Sequence, residues 1–293
     1  LIWGIGNEVD LNYHNTNVWY AINDIAKMVH ELDPNHPTTT VTAGLDSNEV
    51  ALIKQRAPEI DIYSINTYGD IKDVPSDIKK FGWNGPYMIT EWGPNGHWEV
   101  DTTSWGAPFE QSSKEKAESY KERYQKFIAP EGSHCLGSYV FLWGQKQETT
   151  ATWYGLLSAD GESSQAVDEL QKIWTNHIPE NQAPVLDSLI IEGVNSKNAI
   201  LASEGSYNVE VFVSDPDQDS LTIKWQILKE SDIVSAGGDP EPMLESLEGL
   251  FENTGGKKNT FSAPIKKGKY RLYVTAFDGK KHYAYANIPF LSK

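Results

Sequence analysis

A single cysteine, Cys135, is all the thiol the chain has. That excludes an internal disulfide and any metal centre built from several thiolates. Long apolar runs are missing too, since stretches such as Tyr139–Trp143 are far too short to cross a bilayer. Basic residues are the minority, 25 Lys and Arg against 41 Asp and Glu, for a net charge of −16. So acidic a surface repels nucleic-acid phosphates and anionic lipid, and neither is an expected partner. Several catalytic templates are also absent. Gly4-Ile-Gly6-Asn-Glu-Val9 opens like a dinucleotide loop, but Val9 stands where the last glycine belongs. There is no phosphate-binding loop, no Gly-x-Ser-x-Gly and no His-Glu-x-x-His, and the seven histidines are scattered. Hydride transfer, phosphoryl transfer and serine hydrolysis lose their usual support.

What the sequence does have is unevenly spread. Its 293 residues are enough for two domains, and nine of the ten tryptophans precede residue 178. Residues 1–178 carry 25 acids and 13 bases, the remainder 16 and 12. Leu1 is not an initiator and Leu1–Gly6 already reads as a buried strand, so further chain upstream is expected. Aromatic faces in this quantity suit the apolar C–H faces of sugar rings, although core packing also uses them.

Up to residue 178 strand and helix patterns alternate. Apolar runs at Leu1–Gly6, Thr38–Ala43, Ile60–Asn66, Pro86–Thr90 and Gly137–Trp143 read as five strands. A helix capped by Asn15 or Thr16 should bury Val18, Ile22, Ile25, Val29 and Leu32 and stop at Asp33-Pro34. Asn48–Ala57, Lys114–Ile128 (capped by Ser112 or Ser113) and Ser163–Trp174 read as further helices. Such alternation predicts a parallel sheet. Residues 179–184 form a proline-bounded linker. Beyond it the period falls to two, in Tyr207–Val213, Leu221–Trp225, Tyr270–Phe277 and Tyr283–Phe290. Residues 185–293 are therefore expected to form an all-β sandwich of immunoglobulin type that folds on its own, with Trp225 in its core. Asp215, Asp217 and Asp219 invite a calcium reading, but they lack the EF-hand spacing, and turn-stabilising Asx hydrogen bonds are the expectation.

Two carboxylates end buried strands: Glu8, after Asn7, and Glu91 in Ile89-Thr90-Glu91-Trp92-Gly93. At the C-terminal strand ends of a β/α barrel such residues line the active site. With two strands between them, the pair is placed to divide acid and nucleophile roles in glycoside cleavage.

These motifs resemble the fourth- and seventh-strand signatures of clan A retaining glycoside hydrolases, most closely the family 2 barrel domain. The resemblance covers about residues 1–178. It implies a partial (β/α)8 TIM barrel, strands 4 to 8, and a reaction needing neither metal nor organic cofactor. By this resemblance Glu8 matches the acid/base, Glu91 the nucleophile and Asn7 the amide that bonds the sugar 2-OH. Tyr68 matches a tyrosine beside the nucleophile, and Trp143, taken as the end of the last strand, the floor of the −1 subsite. His97 and Trp98, in the loop after Glu91, are candidate sugar contacts, as are Gln145, Lys146 and Trp153. The implied partner is an oligo- or polysaccharide and the implied location extracytoplasmic. Strands 1 to 3 are lacking, so two sheet edges should stay open, and the chain alone should associate or aggregate and show no glycosidase activity. A non-catalytic carbohydrate-binding or structural piece, and a family 5 type glucanase or transglycosidase, are the alternatives.

Overall fold

The computed structural model describes residues 1–293 except Asn12, Tyr13, Ser133 and 234–238. The chain divides into two compact units: Leu1–Gly93 with Glu122–Phe141, and Pro94–Lys121 with Leu142–Lys293.

In the first unit, β1 (Trp3–Asn7), β2 (Thr38–Ala43), β3 (Ile62–Asn66), β4 (Tyr87–Trp92) and β5 (Cys135–Val140) form one parallel sheet in that spatial order. Helices α1 (Val18–Leu32), α2 (Ser47–Arg56) and α3 (Val74–Lys80) connect the first four strands. Each step moves to the next position in the same direction, so right-handed crossovers put these helices on one face. Register places Tyr63, Ile65, Tyr87 and Ile89 together on one side of the sheet. There the Tyr63 hydroxyl meets Thr42 Oγ1 at 2.8 Å and its ring lies 5.4 Å from that of Trp83. The other side is more polar. Thr39 and Ser64 hydroxyls meet at 2.7 Å, and Asn66 and Thr90 stand nearer the strands' C-terminal ends.

The first four strands lie within two residues of their expected positions. β5 differs, ending at Val140, three residues before Trp143. Phe141 N still bonds Trp92 O, but Leu142 N turns away to Tyr154 O. Helix α1 also differs from expectation. Its N-cap is Asn17, which makes no side-chain capping bond, rather than Asn15 or Thr16; the Asn15 side chain instead accepts from Asn17 N at 3.0 Å, one position before the helix. The buried face is Trp19, Ile22 and Ala26, while Ile25 and Leu32 are 43% and 78% exposed. Both stripes fit a 3.6-residue period, and the one carrying Trp19 buries more apolar surface. Among the described residues β1 and β5 pair on one side only, so this sheet is open rather than closed into a barrel.

In the second unit, α4 (Ser113–Arg123, its last two residues in the first unit) starts on a capping box in which Ser112 N donates to Glu115 Oε2 at 2.7 Å. Its expected final turn, Tyr124–Ile128, is π-helical. β6 (Ser163–Ser164) leads into α5 (Gln165–Thr175), which ends at Asn176 in the left-handed region. The strands that follow are β7 (Val185–Ile191), β8 (Ala199–Leu201), β9 (Ser206–Ser214), β10 (Thr222–Lys229), β11 (Lys258–Ser262), β12 (Gly268–Phe277) and β13 (His282–Ser292). One antiparallel sheet runs β11–β9–β7. The other runs β10–β12–β13, with β6 and β8 added in parallel to β13. Val209, Val211, Val213 and Phe261 of one sheet share a core with Ile223, Trp225, Ile227, Leu272 and Val274 of the other. Strands β7, β8 and β11 were not read from sequence. Asp215 Oδ1 accepts from the Asp217 and Asp219 amides at 2.9 and 3.0 Å, the Asx pattern, and the three carboxylates lie within 4.8 Å of one another.

Residues 179–184 lie inside the second unit. On the outer face of β12 and β13, Arg271, Tyr273 and Tyr285 are buried. Arg271 donates to Pro108 O at 2.8 Å, and Tyr285 N donates to Ser113 Oγ, 172 residues away, at 3.1 Å. Residues 94–121 therefore cover a face that residues 185–293 alone would leave bare. The linker itself is tied down, with Ala183 N donating to Asp168 Oδ2 at 2.7 Å.

Burial pushes the Asp168 carboxyl up to about 6, against the lowering effect of that amide. The folded chain thus holds a proton that the unfolded chain has already released, and this contribution to stability is lost as pH rises through 6. Asp168→Asn keeps an oxygen for Ala183 and carries no charge. It is expected to raise stability at pH 8 by about 1–3 kcal/mol and to change little below pH 4, as read by thermal melts at both values.

Candidate active site

The polar groups at the C-terminal edge of the parallel sheet are joined by hydrogen bonds. Asn66, at the end of β3 and 3% exposed, donates from Nδ2 to Glu8 Oε1 at 2.9 Å and lies 3.3 Å from Asn7 Oδ1. Its Oδ1 accepts the Thr90 hydroxyl at 2.8 Å. A carboxylate only accepts, and Thr90 supplies the donor on the other side, so the amide has a single consistent orientation. Asn66 stands in register with Ala43 on β2. The small Ala43 side chain leaves Glu8, beyond the end of β1, room to reach across to β3. Glu91, next to Thr90 on β4, accepts the Tyr68 hydroxyl at 3.1 Å. Tyr68 is buried, and its ring meets Phe141 edge-on at 6.3 Å.

The backbone that presents Glu8 is unusual. Gly6 has φ 75° and Glu8 has φ 49°, both in the left-handed region. A Cβ on Gly6 would lie 2.8 Å from Val9 Cγ1, so glycine is required by space as well as by torsion. A non-glycine residue held at positive φ costs energy, and such strain gathers at functional sites. Register between β1 and β2 shifts between Gly4 and Asn7, and Glu8 N is held by Val41 O at 3.0 Å. Asn7 is exposed, so its amide is accessible to a ligand.

Of the residues singled out in the sequence, Asn7, Glu8, Tyr68 and Glu91 belong to the first unit. His97, Trp98 and Trp143 belong to the second. Trp143 lies past β5, 59% exposed, with its ring 6.3 Å from that of Trp174. Trp98 is 61% exposed and packs edge-on to His97 at 5.0 Å. Burial lowers the pKa of His97, with Glu148 and Glu241 opposing, which favours the neutral ring. Trp153, a candidate sugar contact, is instead buried, its indole donating to Asn95 O at 2.9 Å. Lys146 pairs with Glu148 at 2.6 Å and Gln145 bonds Ala151 O at 3.0 Å.

Sequence reasoning missed Asn66 and Thr90. The strand-end rule that selected Glu8 and Glu91 applies equally to Asn66, but a neutral amide there reads as a loop anchor. It also missed Gly96, over which the Trp98 ring folds so closely that a Cβ would stand 2.5 Å from it.

No protein-family model and no curated protein matches the chain. Among solved structures, an FMN-binding β-glucuronidase from Facaelibacterium prausnitzii L2-6 overlaps 100% of this chain and 41% of its own, at 18% identity and TM-score 0.46. An α-L-arabinofuranosidase from Thermotoga maritima overlaps 99% and 66%, at 9% identity and TM-score 0.45. A family 39 glycoside hydrolase from Bacteroides cellulosilyticus WH2 overlaps 98% and 57%, at 9% identity and TM-score 0.42. The chain thus spans less than two thirds of each of these glycoside hydrolases. Overlaps this loose say nothing about which residues react.

Gly6→Ala is expected to destabilise the first unit by about 1 kcal/mol or more, since both torsion and space oppose it. Gly4→Ala has nothing within 4 Å of the new Cβ and should stay within about 0.5 kcal/mol. Urea unfolding of both variants separates the two effects.

Proposed function

We propose that the chain carries the catalytic carboxylates of a retaining β-glycoside hydrolase acting on an oligo- or polysaccharide. The observation that carries this reading is the linked edge of the parallel sheet. Glu8 is fixed by Asn66, Asn66 by Thr90, and Glu91, the next residue, by Tyr68. Glu91 is the nucleophile, and the Tyr68 hydroxyl keeps one of its oxygens oriented while the other attacks the anomeric carbon. Glu8 protonates the leaving oxygen. Once the glycosyl ester forms, the charge on Glu91 is gone, and Glu8 takes a proton from the incoming water. Asn66 donates to Glu8 Oε1 and so holds that oxygen in place, leaving Oε2 to exchange the proton. The exposed Asn7 amide bonds the sugar 2-OH, a contact that strengthens in the transition state. Taken by itself, the second unit offers His97 and the exposed rings of Trp98 and Trp143 as sugar contacts.

In this reading the open sheet is part of a (β/α)8 barrel completed by further β/α units beside β1 and β5. The sandwich is an immunoglobulin-like module, and the protein works outside the cytoplasm. A second reading, a piece that binds carbohydrate without cleaving it, draws on the two edge strands that each pair on one side. Assays on a polypeptide that completes the barrel separate the two. With aryl β-glycosides, Glu91→Gln is expected to reduce turnover to background. Glu8→Gln should slow deglycosylation by about 10²–10⁴-fold, with partial rescue by azide. Full turnover by either variant would overturn the assignment.

A further inference from the structure

The outer face of β12 and β13 buries a cluster of charges that the proposed chemistry does not use. Arg271 pairs with Glu230 at 2.8 Å, their side chains 1% and 8% exposed. Arg271 also donates to Asn287 Oδ1 at 2.7 Å, and Asn287 Nδ2 donates to Glu110 Oε2 at 2.6 Å. Glu110 pairs with Lys116 at 2.5 Å. Burial alone would push Glu110 up, but Lys116 and Arg271 hold it below the usual carboxylate range. A buried anion needs every donor it can find, since an unmet acceptor there is costly. Two of its donors are the Thr150 and Thr152 hydroxyls, at 2.7 and 2.8 Å.

Those threonines belong to a tight turn. Glu148 and Thr150 exchange backbone hydrogen bonds, and Thr149 sits at φ 61° with its N–H on Glu241 at 2.9 Å. Trp153, directly after Thr152, donates to Asn95 O, and its ring meets His97 edge-on at 6.0 Å. An unbroken run of contacts therefore leads from the sandwich sheet, through Glu110, to the loop bearing His97 and Trp98. It lies wholly within the second unit.

We infer that Glu110, with Thr150 and Thr152, is a positioning centre through which the sandwich sets the conformation of the His97–Trp98 loop. The sandwich is in that case part of the substrate-contacting machinery rather than a tethered appendage. The inference rests on the proposed reading of His97 and Trp98 as sugar contacts, but the coupling itself is measurable without sugar.

The test is amide hydrogen exchange on the full chain. Thr150→Val removes the hydroxyl at nearly constant shape, and Thr150→Ser keeps it. The valine variant is expected to exchange about tenfold faster at 147–153 and also at 95–99, the effect of about one lost hydrogen bond, with serine restoring the original rates. A merely local role would confine the change to 147–153, and equal behaviour of valine and serine would remove Glu110 from the account. Either result overturns the inference. If Thr150→Val fails to fold, Trp153→Phe removes only the N–H to Asn95. Faster exchange at 95–99, with 147–153 unchanged, then supports the coupling, and unchanged rates at 95–99 overturn it. Tryptophan fluorescence titration of the unaltered chain with soluble β-glucan reports separately on the sugar reading. Its failure there leaves the exchange result standing.

Discussion

The side chain of Asn66 is the constraint on which the first unit's site depends. It is almost wholly buried, yet it has two roles at once, accepting from Thr90 and donating to Glu8. The carboxylate only accepts, so the amide turns its Nδ2 to Glu8 and its Oδ1 to the Thr90 hydroxyl, which can donate. A carboxylate at the end of a strand with left-handed backbone would otherwise be free to turn to solvent. The parallel sheet supplies the rest: sequential strands bring β1, β3 and β4 to the same edge, and the small Ala43 between them leaves the path clear. The chemistry proposed for Glu8 and Glu91 is thus a consequence of register.

The second unit solves a different problem with the same means. A β-strand alternates, so β12 presents Leu272 and Val274 to the sandwich core and Arg271 and Tyr273 to the opposite face. Residues 94–121 and 142–154 cover that outer face, and charge partners compensate the cost of burying Arg271. Replacing such a cluster with apolar residues is often tolerated, whereas removing one member leaves a charge stranded. Glu110 is the member to which most of the others lead.

How much of this was legible beforehand follows from the range of the interactions. Hydrophobic period is local, so β1 to β4, α2, α5 and the four strongest sandwich strands could be read directly. Where two stripes competed on α1, local pattern chose Ile25 and Leu32, and tertiary packing chose Trp19 and Ala26. Strand ends were legible because Glu8 and Glu91 each follow an apolar run. Asn66 was not, because its importance lies in partners on two other strands. Trp143 was placed on a strand end that the structure reaches three residues earlier. The linker was conspicuous in composition, but the cluster joining Glu110 and Lys116 to Arg271 and Asn287 depends on residues far apart in sequence, and no local signal announces it.

The central claim is that Glu91 forms a covalent bond to sugar while Glu8 supplies and removes the proton. Activated 2-deoxy-2-fluoro aryl β-glycosides slow the release of such an ester enough for peptide mapping by mass spectrometry. On a polypeptide that completes the barrel, one fluoroglycosyl group per chain is expected, located on Glu91 and absent from Glu91→Gln. A label on any other residue, or turnover of the parent glycoside with no ester ever trapped at Glu91, would contradict the account.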